Sequence, residues 1–279
     1  MNSFRVERCA GAIGAEISGI DLAAPMDGET MGALRAAWLE HLVLVFRDQD
    51  LDSAGFMAFA RRWGEPIEYP FVKGLEGYPE IIAVRKLEHE RVNFGGVWHS
   101  DTTYLPVPPM ASMLLARELP PQGGDTLFAS MYAAYESLSA GLRQMLDGLR
   151  GVSSSALADV SRTREDTMRG QGGASGGSAA VLTAEHPVAR THPETGRKAL
   201  YVNRAHTARF AGWTEAESRP LLEMLFAHQI SAEFCFRLRW RPGTLAIWDN
   251  RCAQHYPVND YHGYRRLMHR ITLAGTVPV

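Results

Sequence analysis

Apolar positions recur in short runs between Gly and Pro punctuation along the chain. They read GAEISGIDL near the start, LVLVFRDQ at 42–49, EIIAVRKL at 80–87, ASMLLAREL at 111–119, KALYVN at 198–203, FCFRLRW at 234–240, TLAIWDN at 244–250 and LMHRITLAG at 267–275. Runs of this length and composition, bounded by turn residues, predict strands. Helical spacing is rarer. It predicts one helix from about Asp52 through FMAFARRWG, and one from about Ser130 through YAAYESLSAGLRQMLDGLR. A third starts at Thr214, where Thr214 and Glu217 form a capping-box pattern. Strands outnumber helices and do not alternate with them regularly. That speaks against a parallel βαβ fold and predicts a mainly β architecture, a sandwich or barrel with helices packed outside. HPVARTHPETGRKALYVN reads as strand, turn and strand, with Glu194-Thr195-Gly196 at the tip.

Composition refines this picture in three places. A chain of 279 residues, 46% of them hydrophobic, can bury one sizeable core, and we read residues 1–279 as a single domain. Residues 157–180, rich in Gly, Ser and charge, have the composition of a flexible lid rather than of a domain boundary. A formal charge of −2 supplies no field that would gather nucleic acid or an acidic membrane surface, so the expected partner is small and any anion must be met by a few placed arginines. Three cysteines, Cys9, Cys235 and Cys252, make an odd count without pairing pattern. With no leader-like segment and no apolar run of spanning length, the expected location is cytoplasmic, away from membranes.

The candidate chemistry starts at VWHSDTTY. Two side chains two apart on a strand share a face, so His99 and Asp101 can reach one ion if the segment is extended. Alone, a His-x-Asp pair is ordinarily a polar strand edge. His255, after TLAIWDN and a short turn, is the residue that completes a possible set: two histidines and one carboxylate leave three positions open on a non-haem Fe(II) ion. His192-Pro193-Glu194 has the same spacing, but its proline and the following Thr195-Gly196 place it in a surface turn without a metal role. In RRLMHRITLAG, alternation puts Arg266, Met268, Arg270 and Thr272 on one face and Leu267, His269, Ile271 and Leu273 on the other. If the arginine face is solvated, nothing follows. If it is buried, each guanidinium needs an anion. His269 then reads as a core residue, Trp98 and Trp248 as packing residues, Cys252 as structural, and Glu118 and Asp125 as solvated loop residues.

Taken together, WHSD, ELPPQGGDTLF, THPETGRKALYVN, AIWDNRCAQHY and RRLMHRITLAG, in this order, resemble the taurine dioxygenase / 2,4-dichlorophenoxyacetate dioxygenase family of Fe(II)- and 2-oxoglutarate-dependent oxygenases. The resemblance covers nearly the whole chain. It implies a double-stranded β-helix, a cupin-like jelly roll with flanking helices. It implies Fe(II) held by His99, Asp101 and His255, with 2-oxoglutarate and O2 as co-substrates and succinate and CO2 as products. By position, Thr126 and Arg266 match the residues that hold the distal carboxylate of 2-oxoglutarate, and Arg270 matches the arginine that receives the anionic group of the primary substrate. Thr102 and Tyr69 fall on the substrate side. The implied reaction is hydroxylation of a small anionic organic molecule of the taurine or alkylsulfonate, alkyl sulfate or aryloxyalkanoate type, and the family tends toward homo-oligomers. Two readings stay open beside it: a non-catalytic small-anion binder or sensor on the same fold, and desaturation by the same kind of site. Taurine-specific members carry a histidine where IEYPFVKGLEGYPE offers Tyr69, Pro70, Phe71 and Val72, and a more polar run where VNFGGVWHSD has Phe94-Gly95-Gly96-Val97. Both departures suit a larger or more apolar substrate than a small zwitterion.

Overall fold

A computed structural model describes residues 4–70, 72–157 and 181–279. The run VLVF forms the strand Val43–Phe46, buried at every position. Val43 and Val45 face the core between two sheets, while Leu44 and Phe46 face a second core beneath the helices. A continuous apolar run is what a strand covered on both sides requires. It sits in an eight-stranded sheet whose order is Arg5–Arg8, Ala15–Ser18, Val43–Phe46, Leu245–Asp249, Ala111–Glu118 and Arg266–Leu273. Ile81–Lys86 and Pro66–Ile67 line the far side of the last strand. The pairing of Ala15–Ser18 with Val43–Phe46 is parallel, and the other pairings in this sheet are antiparallel.

A three-stranded sheet opposes it, in the order Cys235–Leu238, Thr126–Ser130 and Ala253–Pro257. From Ala111 onward the chain alternates between the two sheets, passing from Ala111–Glu118 to Thr126–Ser130, and later from Leu245–Asp249 to Ala253–Pro257 and back to Arg266–Leu273. That alternation makes the expected jelly roll, a double-stranded β-helix. Phe128, Leu114, Ala246, Trp248 and Met268 fill the space between the sheets. Lys198–Leu200 pairs with Ala189–Thr191 as the predicted hairpin. Thr207–Phe210, Arg150–Ser154 and Thr183–Pro187 form a further sheet.

Two helices, Gly28–His41 and Ser53–Trp63, cover the outer face of the large sheet. Ser53–Trp63 starts where Asp52 accepts from the Gly55 N–H, close to the predicted start. Gly28–His41, capped by Asp27, was not apparent from the apolar pattern. Its apolar residues run almost all round the helix, whereas only Leu34, Ala37, Trp38 and His41 are buried. Trp38 and Trp63 meet edge to face at 5.5 Å, in one cluster with Phe56 and Phe59. Fully burying each such ring contributes about 2–3 kcal/mol. The single helix expected from about Ser130 is two, Met131–Glu136 and Ala140–Asp147, because Ser139 caps a new start by accepting from Leu142 N–H. The capping box at Thr214 and Glu217 opens the helix Glu215–His228 as expected. Apart from Leu157, the 157–180 segment lies outside the described residues.

Candidate metal and co-substrate site

His99 and His255 come from segments far apart in the chain. An isolated antiparallel bridge joins them, each backbone N–H donating to the other's carbonyl, at 3.1 and 2.8 Å. Their rings lie 4.1 Å apart between centroids. His99 Nδ1 sits 2.6 Å from the Val97 carbonyl, which can only accept, so Nδ1 carries the proton and Nε2 keeps its lone pair. Asp101 Oδ1 is 3.6 Å from His99 Nε2 and 4.0 Å from His255 Nε2. Gly95, at φ 68°, makes room for this arrangement: a Cβ there would stand 2.9 Å from His99 Cε1.

All three side chains are buried. Burial opposes ionisation of Asp101, but Arg270, then His255 and His99, outweigh it and hold the carboxyl well below the usual range. Burial, reinforced by the neighbouring His99, pushes the His255 imidazole well below its ordinary value. An anionic carboxylate and a neutral imidazole are the forms that ligate a cation.

A cavity open toward solvent lies against His99 and His255 and is lined by Phe94, Thr126, Trp248, Tyr261, Arg266 and Arg270, among others. Arg266 and Arg270 share a face with Met268 and Thr272, as the alternation predicted, and that face, left open in the sequence between solvent and core, is the buried one. Arg266 packs against the Trp240 ring at 5.9 Å, yet its Nε and Nη2 have no hydrogen-bond partner. Thr126 Oγ1 accepts from Trp240 Nε1 at 3.0 Å, which leaves the threonine's own proton to donate. Two orphaned nitrogen donors of a buried guanidinium beside a hydroxyl donor form a cradle for a carboxylate. The residues present thus fit both a metal ion and a dicarboxylate co-substrate.

A model of the family described as "Taurine catabolism dioxygenase TauD, TfdA family" matches residues 5–272. The chain belongs to the TauD/TfdA family. It is 37% identical to an alpha-ketoglutarate-dependent sulfate ester dioxygenase of Pseudomonas putida, over 98% of this chain and 90% of that protein. It is 35% identical to an alkylsulfatase of Acinetobacter baylyi, over 98% of this chain and 86% of the relative. A taurine dioxygenase from Burkholderia xenovorans superimposes with a TM-score of 0.84 at 36% identity, covering 99% of this chain and 91% of that one. This TauD/TfdA-family protein is accordingly an enzyme, a dioxygenase dependent on 2-oxoglutarate, which is alpha-ketoglutarate.

At the other inward arginine of this dioxygenase, the Arg270 guanidinium lies 5.2 Å from the centre of the Tyr69 ring, and Tyr69 meets Phe94 edge to face at 6.5 Å. Arg270 Nη2 reaches Asp101 Oδ2 at 2.7 Å, while its Nε has no hydrogen-bond partner. Thr102 is buried with φ 41°, a left-handed conformation uncommon for a β-branched residue, directly after the Asp101 carboxylate. Trp248 packs between Phe128 and His255, with centroid distances of 5.5 and 4.8 Å. It therefore lines the cavity as well as supporting the barrel.

Three expectations need correction. His192 does precede the hairpin turn, but it is 1% exposed, with Nε2 3.0 Å from Asp249 Oδ2. Asp125 is buried and accepts from Arg237 Nε at 2.6 Å. His269 is half-buried and accepts from Arg117 Nε at 3.1 Å, so it belongs to the outer face and not the core.

His192, Asp249 and Cys252 also lie within metal-binding reach of one another. Their hydrogen bonds argue otherwise. His192 Nδ1 accepts from the Glu194 and Thr195 N–H groups, each at 3.2 Å, so Nε2 carries the proton and donates to Asp249. Arg251 fills the carboxylate from Nε and Nη2, at 2.8 and 2.7 Å, and also binds Glu194. With the Arg251 backbone N–H also donating to Asp249 Oδ1, neither His192 nor Asp249 keeps a lone pair for a cation, and burial, reinforced by Asp249, pushes the Cys252 thiol well above its ordinary value.

Sequence reasoning missed Ser112 and Asn250, which are wholly buried beside Asp101. A signal existed. In ASMLLARE, period two puts Ser112 on one face with Leu114, Ala116 and Glu118, and of the two polar residues only Ser112 lies at the buried end.

Proposed function

We propose that this dioxygenase oxidises the carbon carrying the ester oxygen of an alkyl sulfate. His99, Asp101 and His255 hold Fe(II), Thr126 and Arg266 hold the distal carboxylate of 2-oxoglutarate, and Arg270 receives the sulfate group with Tyr69 and Thr102 beside it. When bound, Fe(II) and 2-oxoglutarate activate O2 and supply the oxidising chemistry, with succinate and CO2 as by-products. The chain's own residues orient the substrate. Arg270 fixes the anionic head by a charge-assisted contact, which places the adjacent carbon against the triad, while Phe94 and Trp248 keep that space apolar. Hydroxylation of that carbon gives a sulfated hemiacetal-type product, which breaks its C–O bond to release an aldehyde, sulfate and a proton.

The observation that carries this reading is Arg270: a buried cation next to Asp101, with an orphaned Nε, in a surrounding of Tyr69 and Phe94 and without a histidine at 68–72 to meet a zwitterion. Support comes from the two relatives whose names refer to sulfate esters. The experiment is succinate formation by the Fe(II)-loaded protein with alkyl sulfates, alkylsulfonates, taurine and aryloxyalkanoates. The expected result is stimulation by an alkyl sulfate with sulfate released one for one with succinate. Stimulation by taurine or an aryloxyalkanoate, with alkyl sulfates inert, overturns the substrate assignment while leaving the oxygenase in place.

A further inference from the structure

Asp101 has two carboxylate oxygens, and only Oδ1 faces the histidines. Oδ2 is occupied. Arg270 Nη2 donates to it at 2.7 Å, and Ser112 Oγ donates to it as well. The direction of the serine bond is fixed, because its two other neighbours can only donate to it: Asn250 Nδ2 at 3.1 Å and Arg270 Nη2 at 3.3 Å. The single hydroxyl proton is thereby committed to Asp101. The amide of Asn250 is oriented in turn by Trp248 Nε1, a donor only, which bonds Oδ1 at 2.9 Å. Ser112 and Asn250 are each 0% exposed, and Ser112 is the register partner of both Trp248 and Thr272 on the adjoining strands. Donation runs one way, from Trp248 through Asn250 and Ser112 to Asp101.

We propose that Ser112 and Asn250 are positioning residues that hold Asp101 Oδ2 so that Oδ1 alone is offered to the metal, and that they keep it there when an anionic substrate draws on Arg270. Arg270 is shared: the guanidinium that meets the substrate's anion is also one of two donors on the metal carboxylate. With Ser112 in place, Asp101 stays singly presented when that sharing shifts. Without it, the carboxylate loses its remaining anchor and is free to rotate. The inference rests on the metal-site reading given under Proposed function.

The test is Mn(II) affinity, measured by electron paramagnetic resonance of the unbound ion, without turnover. Ser112→Ala is expected to weaken binding about tenfold, and by more, toward 100-fold, when introduced into an Arg270→Ala background where both donors are missing. Ser112→Thr should restore affinity to within about threefold, and Asn250→Ala should add nothing further to Ser112→Ala, because the amide acts through the hydroxyl. Affinity within about twofold of the parent for Ser112→Ala in both backgrounds overturns the proposal, as do equal losses in the two backgrounds, which remove the shared oxygen. If Ser112→Ala does not fold, Asn250→Ala alone decides, with an expected loss of about three- to tenfold. Asp101→Ala is the separate check on the site: unchanged Mn(II) binding there overturns the metal-site reading itself, whereas lost binding beside an unaffected Ser112→Ala overturns the positioning role alone.

Discussion

Two buried clusters of similar residue types lie among the described residues, and their hydrogen bonding differs. His99, Asp101 and His255 sit beside donors left without partners, Arg266 Nε and Nη2 and Arg270 Nε, and His255 Nδ1 is itself unpartnered. In the other cluster, His192, Asp249, Arg251 and Glu194 satisfy one another, and Arg35 closes the set by donating to Glu194 from Nε and Nη2 at 2.8 and 2.7 Å. Both contain a His-x-carboxylate or its spatial equivalent, and both are within metal-binding reach. What separates a binding site from a structural knot is unfilled hydrogen-bonding capacity, which neither residue type nor spacing records.

The sharpest way to break this comparison is to remove a carboxylate from each cluster. Asp101→Ala is expected to abolish Mn(II) binding and reduce turnover to background while the fold is retained, as read by circular dichroism. Asp249→Asn is expected to cost about 3–5 kcal/mol in denaturant unfolding, since it leaves Arg251 buried without its main partner, with Mn(II) affinity in the surviving native protein unchanged. If Asp249→Asn weakens the metal instead, the closed cluster is not merely structural.

A smaller effect separates the two inward arginines. Arg266→Ala should weaken 2-oxoglutarate by about 1.5–3 kcal/mol, roughly 10–100-fold, as measured by titration of the Mn(II)-loaded protein. Arg270→Ala should weaken the primary substrate more than 2-oxoglutarate. The reverse pattern exchanges their roles.

The smallest effects are in pH. Burial, then Arg117, pushes His269 down to about 4, and burial, then His99, pushes His206 down to about 3. A histidine depressed in the native state binds its proton earlier when unfolded, so stability is full above about 6.5 and falls as pH drops through that value. Asp249 is held at about 2, burial being outweighed by Arg251 and His192, so its contribution is present above about 4 and lost as pH falls toward 2. His269→Gln should flatten part of the upper window and Asp249→Asn the lower one, in unfolding midpoints measured from pH 7 to pH 2. Identical pH profiles for parent and Asp249→Asn would count against the ionic knot.

Much of this was legible in the chain. Period-two alternation in RLMHRITL placed both arginines on one face, because a strand allows its side chains only two directions, but which face is turned inward came from the packing of the sheets. The hairpin around Glu194 and the capping box at Thr214 follow from turn and cap chemistry that acts over a few residues. The helix Gly28–His41 was not legible, since its apolar residues outnumber those that tertiary packing buries. Nor was the pairing of Ser112 with Asn250 and Asp101, which depends on the register between strands. His192 was misjudged because a turn prediction says where the backbone bends and not which side chain is folded beneath it.

The strand Arg266–Leu273 lies inside its sheet, with Ala111–Glu118 on one side and Ile81–Lys86 and Pro66–Ile67 on the other. All of these neighbours precede it in the chain. During synthesis they emerge before the segment that pairs with all of them, and the sheet closes only after that segment arrives. Both inward arginines arrive with it, and His255 shortly before, whereas His99 and Asp101 have been waiting since much earlier. Sheet closure and the arrival of the two guanidinium groups are therefore one event: a chain stalled before residue 266 already holds His99, Asp101 and His255, but it has neither a closed sheet nor the two arginines that line the cavity beside them.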